Sequence, residues 1–183
     1  MISDLPRFLV RLGIALLMLG LSVWSAIGAI NQADIAAIPQ SSDEDFRDRM
    51  AAGLPRSASA DWYAAIADRA ISLTPPDTEL ALNAYQRSLQ LEDRNGVYWA
   101  AYADALIRQN ASMDTIAQAL AQSYTHLPIG DLATRHWRLR LAESVWAGLP
   151  DGLKHRIATE AGLVELDWLR TDCPNIHAYQ SRP

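Results

Sequence analysis

Apolar residues recur along most of this chain at steps of three and four, the spacing that lines one face of a 3.6-residue helix. Trp99, Tyr102, Ala103, Leu106 and Ile107 occupy positions i, i+3, i+4, i+7 and i+8. Ile116, Leu120, Tyr124 and Leu127 follow the same rule, as do Leu153, Ile157, Ala161 and Val164. Shorter runs of the same kind are Leu82, Tyr85 and Leu89, and then Trp137, Leu141 and Val145. No stretch sustains the alternation of a half-buried strand. Breaks fall at Thr74-Pro75-Pro76-Asp77, at Gln109 to Ser112 and at Gly148 to Gly152. Thr78, Ser112, Asp131 and Asp151 precede periodic runs, where a short oxygen-bearing side chain can accept free backbone N–H groups. The pattern predicts an all-α body of six helices.

The helices are arranged in repeats. Trp62, Trp99 and Trp137 are 37 and 38 residues apart, and each is followed by a small residue and an acid: Ala67-Asp68, Ala103-Asp104 and Ala142-Glu143. A period in this range marks stacked helical hairpins. Three hairpins over residues 60–171 are expected, with Trp62, Trp99 and Trp137 in the structural core. Tyr63 and Tyr98 adjoin core tryptophans and should point outwards, so they and Tyr179 are the candidates for exposed aromatics.

Within these hairpins Ala81, Tyr85 and Ser88 match the second-helix pattern of the tetratricopeptide repeat (TPR), and Trp99, Ala103 and Leu106 match the first helix of the next unit. From about Asp61 to Leu169 the chain resembles that family. It departs from it in period, since the family's repeat is about 34 residues, in having Ala103 where a glycine often stands, and in keeping only Pro128 of the expected prolines. A narrower likeness begins at Arg135-His136-Trp137-Arg138-Leu139-Arg140-Leu141 and runs through Val145-Trp146 to Leu149. It resembles small membrane-anchored TPR-like proteins that accompany bacterial exopolysaccharide and O-antigen assembly. That resemblance implies an α-solenoid that binds other proteins.

From Leu12 to Ile30 there is no charged residue. Nineteen residues at about 1.5 Å each cover about 28 Å, close to the hydrocarbon thickness of a bilayer. Arg7 and Arg11 precede the run with Asp4, whereas Asp34, Asp43, Glu44 and Asp45 follow it before the first base, Arg47. The positive-inside rule then places the N-terminus in the cytoplasm and the body outside. Ala26 and Gly28 also have the spacing of a signal-peptide cleavage site, although the run exceeds a usual signal core. Either reading exports the body. Of 16 basic residues only Lys154 is lysine, a bias of GC-rich bacterial genomes, so the expected location is a bacterial inner membrane with the body in the periplasm. Residues 1–30 are thus read as cytoplasmic N-terminus and transmembrane anchor. Residues 31–59, with Pro39, Gly53 and Pro55, read as a linker with a helical turn around Phe46 to Ala52, and residues 172–183 as a C-terminal tail.

A net charge of −5 argues against nucleic acid, which needs a basic surface. The lone cysteine, Cys173, leaves no intramolecular disulfide and no multi-cysteine metal site. His126, His136, His155 and His177 have no metal-ligand spacing, and no hydrolase or phosphate-loop motif occurs. His155 and Glu160 read as two solvated side chains. No catalytic residue, metal or cofactor is expected. The candidate binding residues are Tyr63, Tyr98, Arg135, Arg138 and Arg140, because guanidinium groups suit carboxylates, phosphates and acidic protein surfaces. The alternative for the arginines is pairing with Asp131 and Glu143. The expected function is a membrane-anchored periplasmic TPR-like scaffold for an envelope or inner-membrane protein, in polysaccharide biosynthesis or export. The alternatives are an assembly factor for secretion, pilus or cytochrome maturation, or a polysaccharide- or glycolipid-binding module.

Overall fold

The structure is a computed structural model that describes residues 17–18, 21–22 and 32–181. The chain divides into residues 1–42 and residues 43–183. In the first unit, residues 17, 18, 21 and 22 are helical, and Leu17, Met18 and Leu21 are exposed. The Ser22 hydroxyl donates to the Met18 carbonyl one turn back, at 2.8 Å. The remainder of the Leu12 to Ile30 run, read above as a membrane anchor, lies outside the described residues. Among the described residues no helix is long and apolar enough to cross a membrane.

Residues 43–183 contain nine α-helices among the described residues, and no strand. They are α1 (Asp43–Met50), α2 (Ala60–Ser72), α3 (Thr78–Leu91), α4 (Gly96–Arg108), α5 (Met113–His126), α6 (Leu132–Ser144), α7 (Asp151–Ala161), α8 (Leu166–Asp172) and α9 (Pro174–Gln180). A 3₁₀ turn, Trp146–Gly148, joins α6 to α7. All six expected helices are present, as α2 to α7, and their starts follow from side-chain caps. Ser59 accepts from the Trp62 N–H, Asn95 from Val97 and Tyr98, Ser112 from Thr115, and Asp131 from Thr134. Two boundaries differ from expectation. Asp77, one residue before Thr78, caps α3 by accepting from Leu80. No side chain caps α7, which begins behind Pro150 and places Asp151 in its first turn, where a negative charge suits the helix dipole.

Short connections make successive helices antiparallel neighbours. Helix α2 packs on α3, α4 on α5 and, less extensively, α6 on α7. Hairpins meet through α3 with α4, α2 with α4, α4 with α6 and α5 with α7. This is a helical, repeat-like architecture. Its interior is rich in alanine: Ala67, Ala70, Ala81, Ala84, Ala100, Ala103 and Ala142 are fully enclosed, which lets helices approach closely. Among the described glycines the tightest approach is at Gly96, where an added Cβ would lie 2.5 Å from the Leu127 Cβ.

The tryptophans correct the expected phase of each repeat. Tyr63, Ala100 and Arg138 are buried, whereas Trp62, Trp99 and Trp137 are half-buried, so the innermost position falls one residue later in all three hairpins. Consecutive helical residues are rotated by about 100°, which moves each tryptophan from the centre of the interface to its rim. There the Trp99 indole N–H donates to the Asp93 carbonyl at 2.7 Å, a partner that the apolar centre could not supply.

The body also extends beyond both expected ends. Phe46 of α1 is buried, the Arg69 guanidinium lies 5.6 Å from its ring centroid, and Asp43 accepts from Arg69 at 2.6 Å. Residues 43–59 therefore belong to the fold rather than to a tether. At the other end Pro174 starts α9, which packs on α6, α7 and α8 and buries Ile176. The Glu143 carboxylate accepts from the backbone N–H groups of Asn175 and Ile176, at 2.9 and 3.1 Å, and anchors this helix.

Candidate interaction surface

The three arginines nominated from the sequence have three separate roles. Arg138 is fully buried, which corrects its expected place on a binding face. Its Nη2 donates to Glu160, whose side chain is 1% exposed, and its Nη1 donates to the Leu127 carbonyl at 2.6 Å. The guanidinium lies 4.4 Å from the Tyr124 ring centroid. Burial pushes the Tyr124 phenol well above its ordinary range. Glu160 is therefore an internal counter-ion and not a solvated side chain, while His155 is exposed as expected. The partner is neither Asp131, which caps α6, nor Glu143, which caps α9. The Thr134 N–H holds the Asp131 carboxyl below its ordinary range.

Arg135 joins two loops: its Nε donates to the Gly130 carbonyl at 2.7 Å and its Nη1 to the Leu163 carbonyl at 3.0 Å. Arg140 is exposed, bonds Asp172 at 3.1 Å and lies 5.5 Å from the Trp168 ring centroid. His136, one turn earlier on α6, stacks on the same indole at 3.9 Å. The two side chains thus clamp α8 to α6.

The tyrosines are also internal ties. Tyr63 is buried and donates to the Pro55 carbonyl, so it is not an exposed aromatic. Tyr98 is half-buried and donates to Asp61, linking the first two hairpins, and burial raises its phenol. Cys173, between α8 and α9, is buried, and burial pushes its thiol up to about 12.

The surface feature that the periodicity did not reveal is aliphatic. Within residues 43–181 the exposed large hydrophobic side chains are Leu91, Val97, Ile129, Leu132, Leu163 and Leu166, between 40% and 64% exposed. All six border the segments that leave a hairpin: Leu91 ends α3 and Val97 lies in the first turn of α4, Ile129 and Leu132 stand either side of Gly130, and Leu163 lies between α7 and α8, which Leu166 begins. These segments share one edge of the stack. The Gly96 and Leu127 backbones touch there, the Ser123 hydroxyl donates to the Gly96 carbonyl at 2.7 Å, and Arg135 ties the Gly130 and Leu163 carbonyls together. The opposite edge, made by the turns inside the hairpins, is different in kind. Its large apolar residues Leu73, Trp146 and Leu149 are buried. The sequence did carry a trace of the edge: Leu91 and Leu132 stand beside helix-boundary residues and outside the periodic runs.

Two open clefts add little chemistry. One of about 690 Å³ is lined by Asp151, His155, Ala158, Thr159, Tyr179 and Gln180. Another, about 480 Å³, lies along the polar face of α3 at Asn83, Gln86, Arg87 and Gln90. Among the described residues no group of histidine, cysteine or acidic side chains is arranged to hold a metal ion. No family model matches this chain, and neither a curated protein nor a solved structure matches it.

Proposed function

We propose that this protein is a membrane-anchored periplasmic scaffold whose TPR-like body docks an envelope or inner-membrane protein. The observation that carries this reading is the row of six exposed aliphatic residues along one edge of the hairpin stack. Exposed apolar side chains gathered at one edge mark an interaction site, and stacked hairpins offer an extended surface for one. The uncharged run Leu12 to Ile30 and the charge asymmetry around it support the anchor and the orientation. Polysaccharide assembly as the setting rests on the likeness around Arg135 to Leu149.

Photo-crosslinkers at Leu132 and Leu166, compared with Asn110 and Ala147 on the opposite edge, test the docking role in cells. One membrane or periplasmic protein should be captured from the first pair alone, and deletion of the protein should lower surface polysaccharide. Equal capture from both edges refutes the docking surface, and deletion without effect on the glycan refutes the setting. A second reading, a glycan-binding module, is supported by the cleft at Tyr179, where an aromatic ring stands beside Asp151, His155, Thr159 and Gln180. Titration of the protein with isolated surface glycan separates the two.

A further inference from the structure

The exposed aliphatic edge is also acidic. Its three connecting segments, residues 91–97, 127–132 and 162–167, contain Glu92, Asp93, Asp131, Glu165 and Asp167 against a single base, Arg94. All five acids are exposed; Asp167 lies 3.1 Å from Arg170 and Glu165 3.5 Å from His136, while Glu92 and Asp93 have no basic side chain within salt-bridge distance among the described residues. Arg135 stands behind the acids, its Nε and Nη1 donating to the Gly130 and Leu163 carbonyls and its charge acting on Asp131. We infer that this edge is the docking site for a cationic amphipathic helix of a partner protein, with aliphatic side chains on one face and lysine or arginine flanking them.

Charge selects among the occupants that an apolar edge could take. A bilayer surface rich in anionic lipid attracts basic segments and repels acidic ones. A second copy related by two-fold symmetry would bring the same acidic segments face to face, and like charges across an interface are unfavourable. A basic amphipathic segment satisfies both features, because its apolar face covers the leucines while its cations meet Glu92, Asp93 and Glu165 at the rim and compete with Arg170 for Asp167. Packed helices stand about 8–10 Å apart, so three neighbouring loops extend over about 20 Å. A helix of about 14 residues has that length.

The inference rests on the docking role proposed above, and the experiment separates the two. A fluorescein-labelled Leu/Lys amphipathic peptide of about 14 residues is titrated into the full-length protein by fluorescence anisotropy, with a Leu/Glu peptide of the same pattern as control. The cationic peptide should bind, the acidic one should not, and affinity should fall as salt screens the pairs. Glu165→Lys with Asp167→Lys should weaken binding by about tenfold or more, and Leu132→Ser with Leu166→Ser by a similar factor, since both the charge and the apolar area are needed. Glu79→Lys with Asp114→Lys, an equal change of charge at the opposite edge, should shift affinity by less than about twofold.

Equal weakening by the opposite-edge pair would overturn the inference, because the attraction would then be diffuse. So would loss, in Leu132→Ser with Leu166→Ser, of binding to phosphatidylglycerol vesicles or of a dimer seen by sedimentation. If Leu132 crosslinks the same cellular partner with and without Glu165→Lys and Asp167→Lys, the cationic partner is wrong and the scaffold stands. If nothing is crosslinked in cells from Leu132 or Leu166, the docking role fails and the inference fails with it, whatever the peptide does. Unchanged circular dichroism melting checks that each variant is folded.

Discussion

Removing one partner of the Arg138–Glu160 pair should be among the most damaging single changes in this protein. Both side chains are essentially inaccessible, at 0% and 1%. Glu160→Leu leaves a guanidinium in the interior with only the Leu127 carbonyl, more distant Ser123 oxygens and the Tyr124 ring around it. Breaking a buried pair in this way costs about 3–5 kcal/mol. Arg138→Met leaves the carboxylate uncompensated and should cost about the same. The double variant removes both charges, and its remaining penalty is the unpaired Leu127 carbonyl, about 1–3 kcal/mol. It should therefore be more stable than either single variant. Urea unfolding of residues 43–183, followed by circular dichroism, measures all four corners of the cycle. Additive losses, with a coupling below about 0.5 kcal/mol, would refute the reasoning, because they would mean that the two groups do not compensate each other's burial. The exposed Arg140–Asp172 pair is the internal comparison, and Arg140→Ala should cost less than about 1 kcal/mol through that pair.

Gly96→Ala should destabilise by about 1–3 kcal/mol, since the new Cβ would meet the Leu127 backbone N at 2.7 Å and the Ser123 carbonyl at 2.8 Å. Gly152→Ala in α7, with nothing within 4 Å, should instead stabilise by up to about 1 kcal/mol by thermal melting. Asp43 is held below its ordinary range chiefly by its bond from Arg69, and Asp131 by the Thr134 N–H. Both are more acidic folded than unfolded, so they contribute stability that is present above about pH 4 and lost as pH falls through the depressed folded values. Asp43→Asn with Asp131→Asn should flatten that acid limb of melting temperature against pH, and an unchanged slope would sink the assignment. With its thiol up at about 12 and buried, Cys173 should resist disulfide-exchange reagents in the native protein and react fully in guanidinium, and rapid native labelling would contradict its burial.

The number and position of the hairpin helices were legible from local pattern. Apolar spacing and short capping side chains are local signals, and Ser112 and Asp131 cap the helices they were expected to cap. The period of the repeat was also legible, because identical spacing recurs wherever identical units stack. The phase was not. Trp62, Trp99 and Trp137 look like core anchors by size, yet the rotation of each helix turns them to the rim and the following residue inwards. Tyr63, Ala100 and Arg138 lie at the centre instead. Arg138 shows the limit most clearly: periodicity counts an arginine as solvent-facing, and only Glu160, 22 residues later and on another helix, makes its burial tolerable. The extent of the body depended in the same way on distant partners, Arg69 for α1 and Glu143 for α9. The exposed aliphatic edge lay beyond local reasoning for a related reason. Leu91, Ile129 and Leu163 are far apart in the chain, and they share one edge only because antiparallel stacking returns every inter-hairpin loop to the same end.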